Sequence, residues 1–281
     1  MRSFSDILSE EVESTRSRLC VGLDVDRARL RSSGGSDLRP LVDFTRMVVE
    51  STLEYAVAYK LNFAFFERYG KRGLQWLEDL LGHIDGRRLT VADAKRGDIA
   101  NSAKHYAFSL FDGFGFDAVT VNPYMGRDAI EPFLQTPERG VFVICLTSNE
   151  GASDLQLLRV DGDPLYGKVI DLVKSVNRNR NCGLVVGATR SDELRRIRQR
   201  AGDMPLLIPG VGSQGGDLAT SVREGNRGGV ALITVSRSLL YSGEKGERAL
   251  AERARRLRDD IRRLLDRPSS SPGGGLSSGD R

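Results

Sequence analysis

The clearest structural signal in the sequence is LTVADAKRGDIAN, residues 89–101. Its first half alternates apolar and smaller residues as a β-strand does, a glycine then breaks the pattern, and a helical pattern follows from about Ile99. Side chains two apart along a strand share a face, so an acid and an amine, Asp93 and Lys95, meet at the strand end. Such a pair is either a structural salt bridge or part of a catalytic site.

Strand-like and helical segments alternate along the rest of the chain, and eight such pairs precede a polar tail. Strict alternation favours parallel strands with right-handed crossovers. Eight units over about 250 residues predict an α/β fold, a (β/α)8 TIM barrel in a single domain. A doubly wound open sheet is the alternative. The eight candidate strands are residues 18–26, 58–66, 89–95, 118–124, 141–149, 183–189, 205–212 and 229–237.

Polar or charged side chains stand at the carboxyl ends of most of these strands, which favours the barrel. In a barrel those ends form one mouth, where the active sites of such enzymes lie. The side chains are those of Asp24, Lys60, Asp93, Asn122, Ser148, Gln214 and Arg237.

The predicted domain covers residues 1–267. It includes a helix at residues 3–15, which we expect to cover the opposite end or the side of the barrel. Residues 268–281 are rich in serine, glycine and proline and have almost nothing to bury, so this tail is expected to be disordered.

Composition limits the class of protein. A chain of 281 residues with 40% hydrophobic and 28% charged residues can bury a large core. It has neither a run of about 20 apolar residues nor a secretory signal pattern, so we expect a cytoplasmic protein that does not enter a membrane. Three separated cysteines without a nearby histidine predict no metal site. The net charge of +4 comes from helices in which acids alternate with arginines, so no nucleic-acid partner is expected.

Lys60 lies inside an otherwise apolar predicted strand. A strand-embedded lysine is costly unless a carboxylate pairs with it, and Asp93 on the next strand is the natural partner. Asp24 ends the first strand, where a turn residue and a site residue are equally good interpretations. His83 and His105 fall in or after helices and are interpreted as structural.

The segment PGVGSQGGD, residues 209–217, follows the seventh strand, and Ser236 with Arg237 ends the eighth. Barrels commonly bind phosphate at these two loops. Glycines let the backbone approach the anion, and a guanidinium contacts it with two hydrogen bonds. A glycine-rich connector beside a surface arginine is the alternative.

Six segments, in this order and with these separations, resemble the orotidine 5′-phosphate decarboxylase family, in particular its longer bacterial branch. The resemblance covers about residues 18–242. It implies a (β/α)8 barrel that removes CO2 from orotidine 5′-phosphate to give uridine 5′-phosphate, the last step of de novo pyrimidine nucleotide synthesis, without a metal or cofactor. The segments are GLDVD, YKLNFAFFE, DAKRGDIANS, LTSN, PGVGSQGGD and VSRSLLY.

The resemblance also implies a role for individual residues. Lys60, Asp93 and Lys95 form a charged catalytic array with Asp98, which reaches into the neighbouring subunit's site and so implies a homodimer. Lys95 protonates C6 of the pyrimidine. The substrate-binding residues are Asp24 at the ribose, Ser102 from across the interface, Ser148 at the pyrimidine edge, and Pro209, Gln214, Ser236 and Arg237 at the phosphate.

Two other functions remain open. One is a metal-dependent sugar-phosphate decarboxylase or aldolase on the same scaffold, which Lys60 disfavours because an ammonium group repels a metal cation. The other is a barrel without catalytic activity that only binds a nucleotide.

Overall fold

The computed structural model describes residues 2–30, 37–188, 190–212 and 217–266. Eight parallel strands form a closed barrel, so the TIM-barrel prediction is confirmed and the open sheet is wrong. The barrel closes where the first strand pairs with the last, with Cys20 opposite Thr234. The strands are β1 (Leu19–Gly22), β2 (Ala58–Asn62), β3 (Leu89–Arg96), β4 (Ala118–Val121), β5 (Gly140–Leu146), β6 (Cys182–Val186), β7 (Leu206–Ile208) and β8 (Ala231–Val235).

Helices surround the barrel. None in the described part of the chain is both long enough and apolar enough to cross a membrane. A 3-10 helix, Glu150–Asp154, and a short antiparallel hairpin, Arg159–Val160 with Asp163–Pro164, lie between β5 and the α-helix that begins at Leu165. The α-helices are α1 (Phe4–Thr15), α2 (Arg27–Leu30), α3 (Arg39–Thr52), α4 (Ala64–Glu67), α5 (Lys71–Ile84), α6 (Ala100–Phe108), α7 (Leu165–Val176), α8 (Ser191–Ala201), α9 (Leu218–Gly225), α10 (Arg237–Tyr241) and α11 (Glu247–Asp266).

Seven of the eight predicted strands extend past their observed ends, the first, second and seventh by four residues, and one predicted helix is not an α-helix. The second strand ends at Asn62 instead of residue 66, because the Asn62 side chain accepts a hydrogen bond from Ala64 N at 3.1 Å and turns the chain into α4. No α-helix follows β4 either. The segment after it forms two short 3-10 helices, Arg127–Ala129 and Glu131–Leu134.

Helix α1 closes the amino end of the barrel. Its Phe4 ring meets Phe142 of β5 edge-on, with centroids 5.9 Å apart, inside a cluster of buried residues from the barrel strands. Phe4 N donates to Pro137 O at 2.8 Å, just before β5 begins. The helix thus seals one end of the barrel with apolar side chains and leaves the carboxyl ends of the strands open for a site.

Candidate active site

A cavity of about 350 Å³ opens at the carboxyl ends of the strands. Residues from the ends of all eight strands, or from the loops after them, line it, as expected for a barrel of this class. Eight of the residues predicted from the sequence are among them, namely Asp24, Lys60, Asp93, Lys95, Ser148, Pro209, Ser236 and Arg237.

Four of these side chains form a row of alternating charge, which we call the charged row (Asp24, Lys60, Asp93 and Lys95). Lys60 Nζ lies 3.3 Å from Asp24 Oδ1 and 2.9 Å from Asp93 Oδ2. Lys95 Nζ lies 2.5 Å from the other oxygen of Asp93, Oδ1. Asp93 therefore joins the two lysines, and the predicted Lys60–Asp93 pair is present.

Strand register explains why the charged row forms. β2 and β3 pair in parallel with Asn62 opposite Asp93, so Lys60, two residues earlier on β2, shares the face of Asp93. Gly22 of β1 lies opposite Lys60, and the chain continues from there into the turn that carries Asp24. The three strand ends thereby bring their ionisable groups to one side of the cavity.

The members of the charged row differ in exposure. Lys60 is 4% exposed and Asp93 is 12% exposed, whereas Lys95 is 50% exposed. Burial alone would lower the pKa of Lys60, but the Asp24 and Asp93 carboxylates outweigh it and raise the pKa above its usual range. Burial would likewise raise the pKa of Asp93, but Lys60 and Lys95 outweigh it and hold the pKa well below its usual range. Both groups are therefore charged near neutral pH.

The proposed phosphate side of the cavity lies at the end of β8, which pairs with β1 and so adjoins the Asp24 end of the charged row. Ser236 follows β8 directly, and Arg237 begins α10. The hydroxyl of Ser236 is buried and has no hydrogen-bond partner within the described residues, so it is available to a ligand. Pro209 also lines the cavity, but Gln214 lies outside the described residues.

Asp98 and Ser102 do not line this cavity. The Asp98 carboxylate accepts a hydrogen bond from Ile99 N at 2.7 Å, and Ser102 is exposed on α6. The resemblance assigns both residues to the neighbouring subunit's site, so their place outside their own chain's cavity is compatible with that expectation.

Three further side chains hold the site in place and were not predicted from the sequence. The Thr120 hydroxyl on β4 contacts both Asp93 and Lys95. Gln156 Oε1 accepts from Thr147 N at 2.7 Å and so fixes the turn that carries Ser148. Each is a common polar residue in an ordinary setting, and the sequence contains no signal that would have selected it.

Tyr241 is the third. Its hydroxyl accepts from Asp26 N at 2.7 Å and donates to Asp24 O at 3.4 Å. Burial raises the pKa of Tyr241 to about 12, so the hydroxyl keeps its proton at neutral pH. The contact ties α10, which begins with Arg237, to the turn that carries Asp24.

Several barrel enzymes could use such a cavity, and comparison with known proteins decides among their families. The sequence profile of the Orotidine 5′-phosphate decarboxylase / HUMPS family matches residues 17–252. The chain belongs to this family. The resemblance seen in the six sequence segments is therefore confirmed, over a slightly longer range than those segments span.

Named members of the family are similar over most of their length. The orotidine 5′-phosphate decarboxylase of Herpetosiphon aurantiacus is 45% identical over 246 residues, which cover 87% of this chain and 91% of that protein. The corresponding protein of Thermomicrobium roseum is 43% identical over 269 residues, with 93% and 96% covered. The structure of Leishmania donovani OMP decarboxylase superposes with a TM-score of 0.83 at 39% identity and covers 95% of this chain and 100% of its own.

Proposed function

We propose that this protein converts orotidine 5′-phosphate to uridine 5′-phosphate and CO2, as a carboxy-lyase of de novo pyrimidine nucleotide synthesis. The observation that carries the proposal is the charged row, in which a half-exposed ammonium group faces the cavity and a buried carboxylate and a second lysine lie behind it. The family and the names of its similar members support the same substrate.

The charged row suggests how the reaction proceeds. When the bond between C6 and the carboxylate carbon breaks, its electron pair stays on C6 and CO2 leaves. Lys95 stabilises this developing charge and then donates a proton to C6, acting as cation and general acid. Its neutral amine afterwards regains a proton from solvent. Asp93 and Lys60 hold Lys95 in position, and Asp24 accepts hydrogen bonds from the ribose hydroxyls.

Substrate orientation comes from the two other sides of the cavity. Ser148 contacts the pyrimidine edge, while Ser236, Arg237, Pro209 and Gln214 surround the phosphate. Binding energy from the phosphate helps to place the distant ring against Lys95.

Loss of ultraviolet absorbance as purified protein consumes orotidine 5′-phosphate is the direct test of this function. We expect turnover without added metal and with EDTA present, because the Lys60 ammonium group already occupies the position between Asp24 and Asp93. Loss of turnover in EDTA, restored by a divalent metal, would favour the metal-dependent sugar-phosphate chemistry of the same scaffold. Binding without turnover would favour the barrel that only binds a nucleotide.

We further propose a homodimer in which Asp98 and Ser102 complete the partner's site. Exposed apolar side chains surround this segment, including Ile99 and Phe108, and an interface would cover them. Mixing two inactive variants, Lys95→Ala and Asp98→Ala, tests the arrangement. If Asp98 serves the partner, hybrid dimers contain one intact site, and mixing restores about a quarter of the parent turnover. If Asp98 serves its own chain, mixing restores none.

A further inference from the structure

We infer that Thr120 is a positioning residue for decarboxylation, a conclusion that rests on the proposed function. Its side chain is 1% exposed and lines the cavity beside the charged row. No step of the reaction needs a hydroxyl at this place. Its contacts instead hold two catalytic residues in position, and the pairing of β3 and β4 explains why they need to be held.

The pairing of these two strands is irregular at the catalytic residues. Ala92 lies opposite Val119 and Arg96 lies opposite Val121, so three residues of β3, Asp93 to Lys95, face the single residue Thr120. Such a bulge leaves backbone groups of the longer strand without their usual partners and turns its side chains in a new direction. The bulge therefore sets where the Asp93 and Lys95 side chains point.

The backbone within the bulge is strained. Lys95 has a φ of +47°, in the left-handed region that side chains other than glycine rarely adopt. Its N–H donates to Thr120 Oγ1 at 2.9 Å, which replaces the hydrogen bond that regular pairing would have supplied. One hydroxyl of the neighbouring strand thus holds the Lys95 backbone in this conformation.

The same hydroxyl also orients the carboxylate. Because Thr120 Oγ1 accepts from Lys95 N, its single hydrogen is free to donate to Asp93 Oδ1, which lies 3.2 Å away. The same carboxylate oxygen accepts the hydrogen bond from Lys95 Nζ. Thr120 therefore fixes both ends of the Asp93–Lys95 pair, and its loss would displace the proton donor from the reacting carbon.

Thr120→Val and Thr120→Ser test this role. Valine keeps the shape but removes the hydroxyl, and we expect kcat to fall about 10- to 100-fold because a small misplacement of a catalytic group is that costly, while KM changes by less than about threefold. Serine keeps the hydroxyl and should restore kcat to within about threefold of the parent. An unchanged kcat in Thr120→Val, or a serine variant as slow as the valine one, would overturn the inference.

Thr52→Val is the matched control. Thr52 is also fully buried, and its hydroxyl contacts Val48 O at 2.7 Å and the Tyr59 hydroxyl at 3.0 Å, outside the cavity. The Thr52→Val variant should be destabilised as Thr120→Val is, but its kcat should equal that of the parent. An equal loss of kcat in both variants would mean that Thr120 is merely structural, which contradicts the inference.

Crystal structures of the parent and both Thr120 variants give a readout that does not depend on turnover. We expect Lys95 to leave the left-handed region in Thr120→Val and to keep it in Thr120→Ser. An unmoved Lys95 in the valine variant would overturn the inference even if the protein acted on another substrate. Absence of orotidine 5′-phosphate turnover in the parent would instead refute the proposed function.

Discussion

Two buried cations in the described part of the chain have different surroundings, at opposite ends of the barrel. Lys60, at the carboxyl ends of the strands, lies between the carboxylates of Asp24 and Asp93. Arg198 of α8 is 2% exposed, and its guanidinium donates to four backbone carbonyls next to the amino ends of β7 and β8. Those carbonyls belong to Gly202, Met204, Gly225 and Val230.

The two environments have opposite effects on the cation. Burial lowers the pKa of Arg198 to about 10, and the Asp203 carboxylate offsets it only in part. Around Lys60, two carboxylates more than compensate for burial and raise the pKa. Backbone dipoles therefore suffice where a buried cation joins segments of chain, whereas full carboxylates surround the cation that faces a ligand. If the proposed function holds, charge at the amino end contributes to stability and charge at the mouth contributes to the reaction.

Lys95→Ala should give the largest effect and separate the two regions most clearly. Removing the proton donor should lower kcat about 10,000-fold. Because Lys95 is half exposed, the free energy of unfolding should change by less than about 1 kcal/mol. Steady-state kinetics and urea unfolding measure both quantities, with the exposed Lys71→Ala as control. Substantial residual turnover in Lys95→Ala would contradict the assignment of Lys95 as proton donor.

Arg198→Met should show the reverse. It leaves buried carbonyls without donors, so the free energy of unfolding should fall by about 3 kcal/mol while kcat at 25 °C stays unchanged. Urea unfolding measures this, with Arg262→Met as the exposed control. The free energy of unfolding of that control should lie within about 0.5 kcal/mol of the parent. If Arg198→Met were slower than the parent but equally stable, Arg198 would not have the purely stabilising role inferred for it.

Arg237→Ala should have a smaller effect, confined to the phosphate side of the mouth. Loss of a charged hydrogen bond should weaken uridine 5′-phosphate binding about 30-fold and leave uridine binding nearly unchanged. Calorimetric titration with both ligands measures the difference. Equal losses for nucleotide and nucleoside would refute the phosphate assignment.

The smallest expected effect is a pH dependence in the loss of stability caused by Asp93→Asn. The pKa of Asp93 in the folded protein lies below its ordinary value of 3.8, so the ionised carboxylate stabilises the fold above that pH and the contribution is lost as the pH falls below it. The stability difference between parent and variant should therefore be about 1 kcal/mol smaller at pH 3 than at pH 6. Urea unfolding at both values tests this. The Arg198→Met difference should stay constant over the same range, and a constant Asp93→Asn difference would contradict the assignment.

The charged row was largely predictable from the sequence. Alternation along β3 predicted that Asp93 and Lys95 lie close together, which they do, although the bulge at Asp93 to Lys95 interrupts that alternation. The cost of burying Lys60 required a carboxylate beside it. Spacing alone did not decide whether Asp24 is a turn residue or a site residue, and only the family resemblance assigned it to the site. The Lys60–Asp93 pair was predictable because strand period and charge pairing are properties of short segments.

The supporting contacts were not predictable, because they depend on three-dimensional register. Thr120 becomes important only because β3 bulges opposite it, and a bulge depends on how two strands pair. Gln156 stands in none of the six segments that carry the resemblance. The strand predicted to reach residue 66 failed for a local reason, since one asparagine side chain turned the chain early.

The charged row also has a consequence for how substrate arrives. Its two carboxylates and two ammonium groups cancel, so beyond a few ångströms it attracts no anion. Long-range attraction of an anionic nucleotide must come from Arg237 and the overall charge of +4, and salt screens both. Added salt should consequently lower kcat/KM more than kcat, since it slows the encounter while the fields that act on the bound ring remain at contact distance.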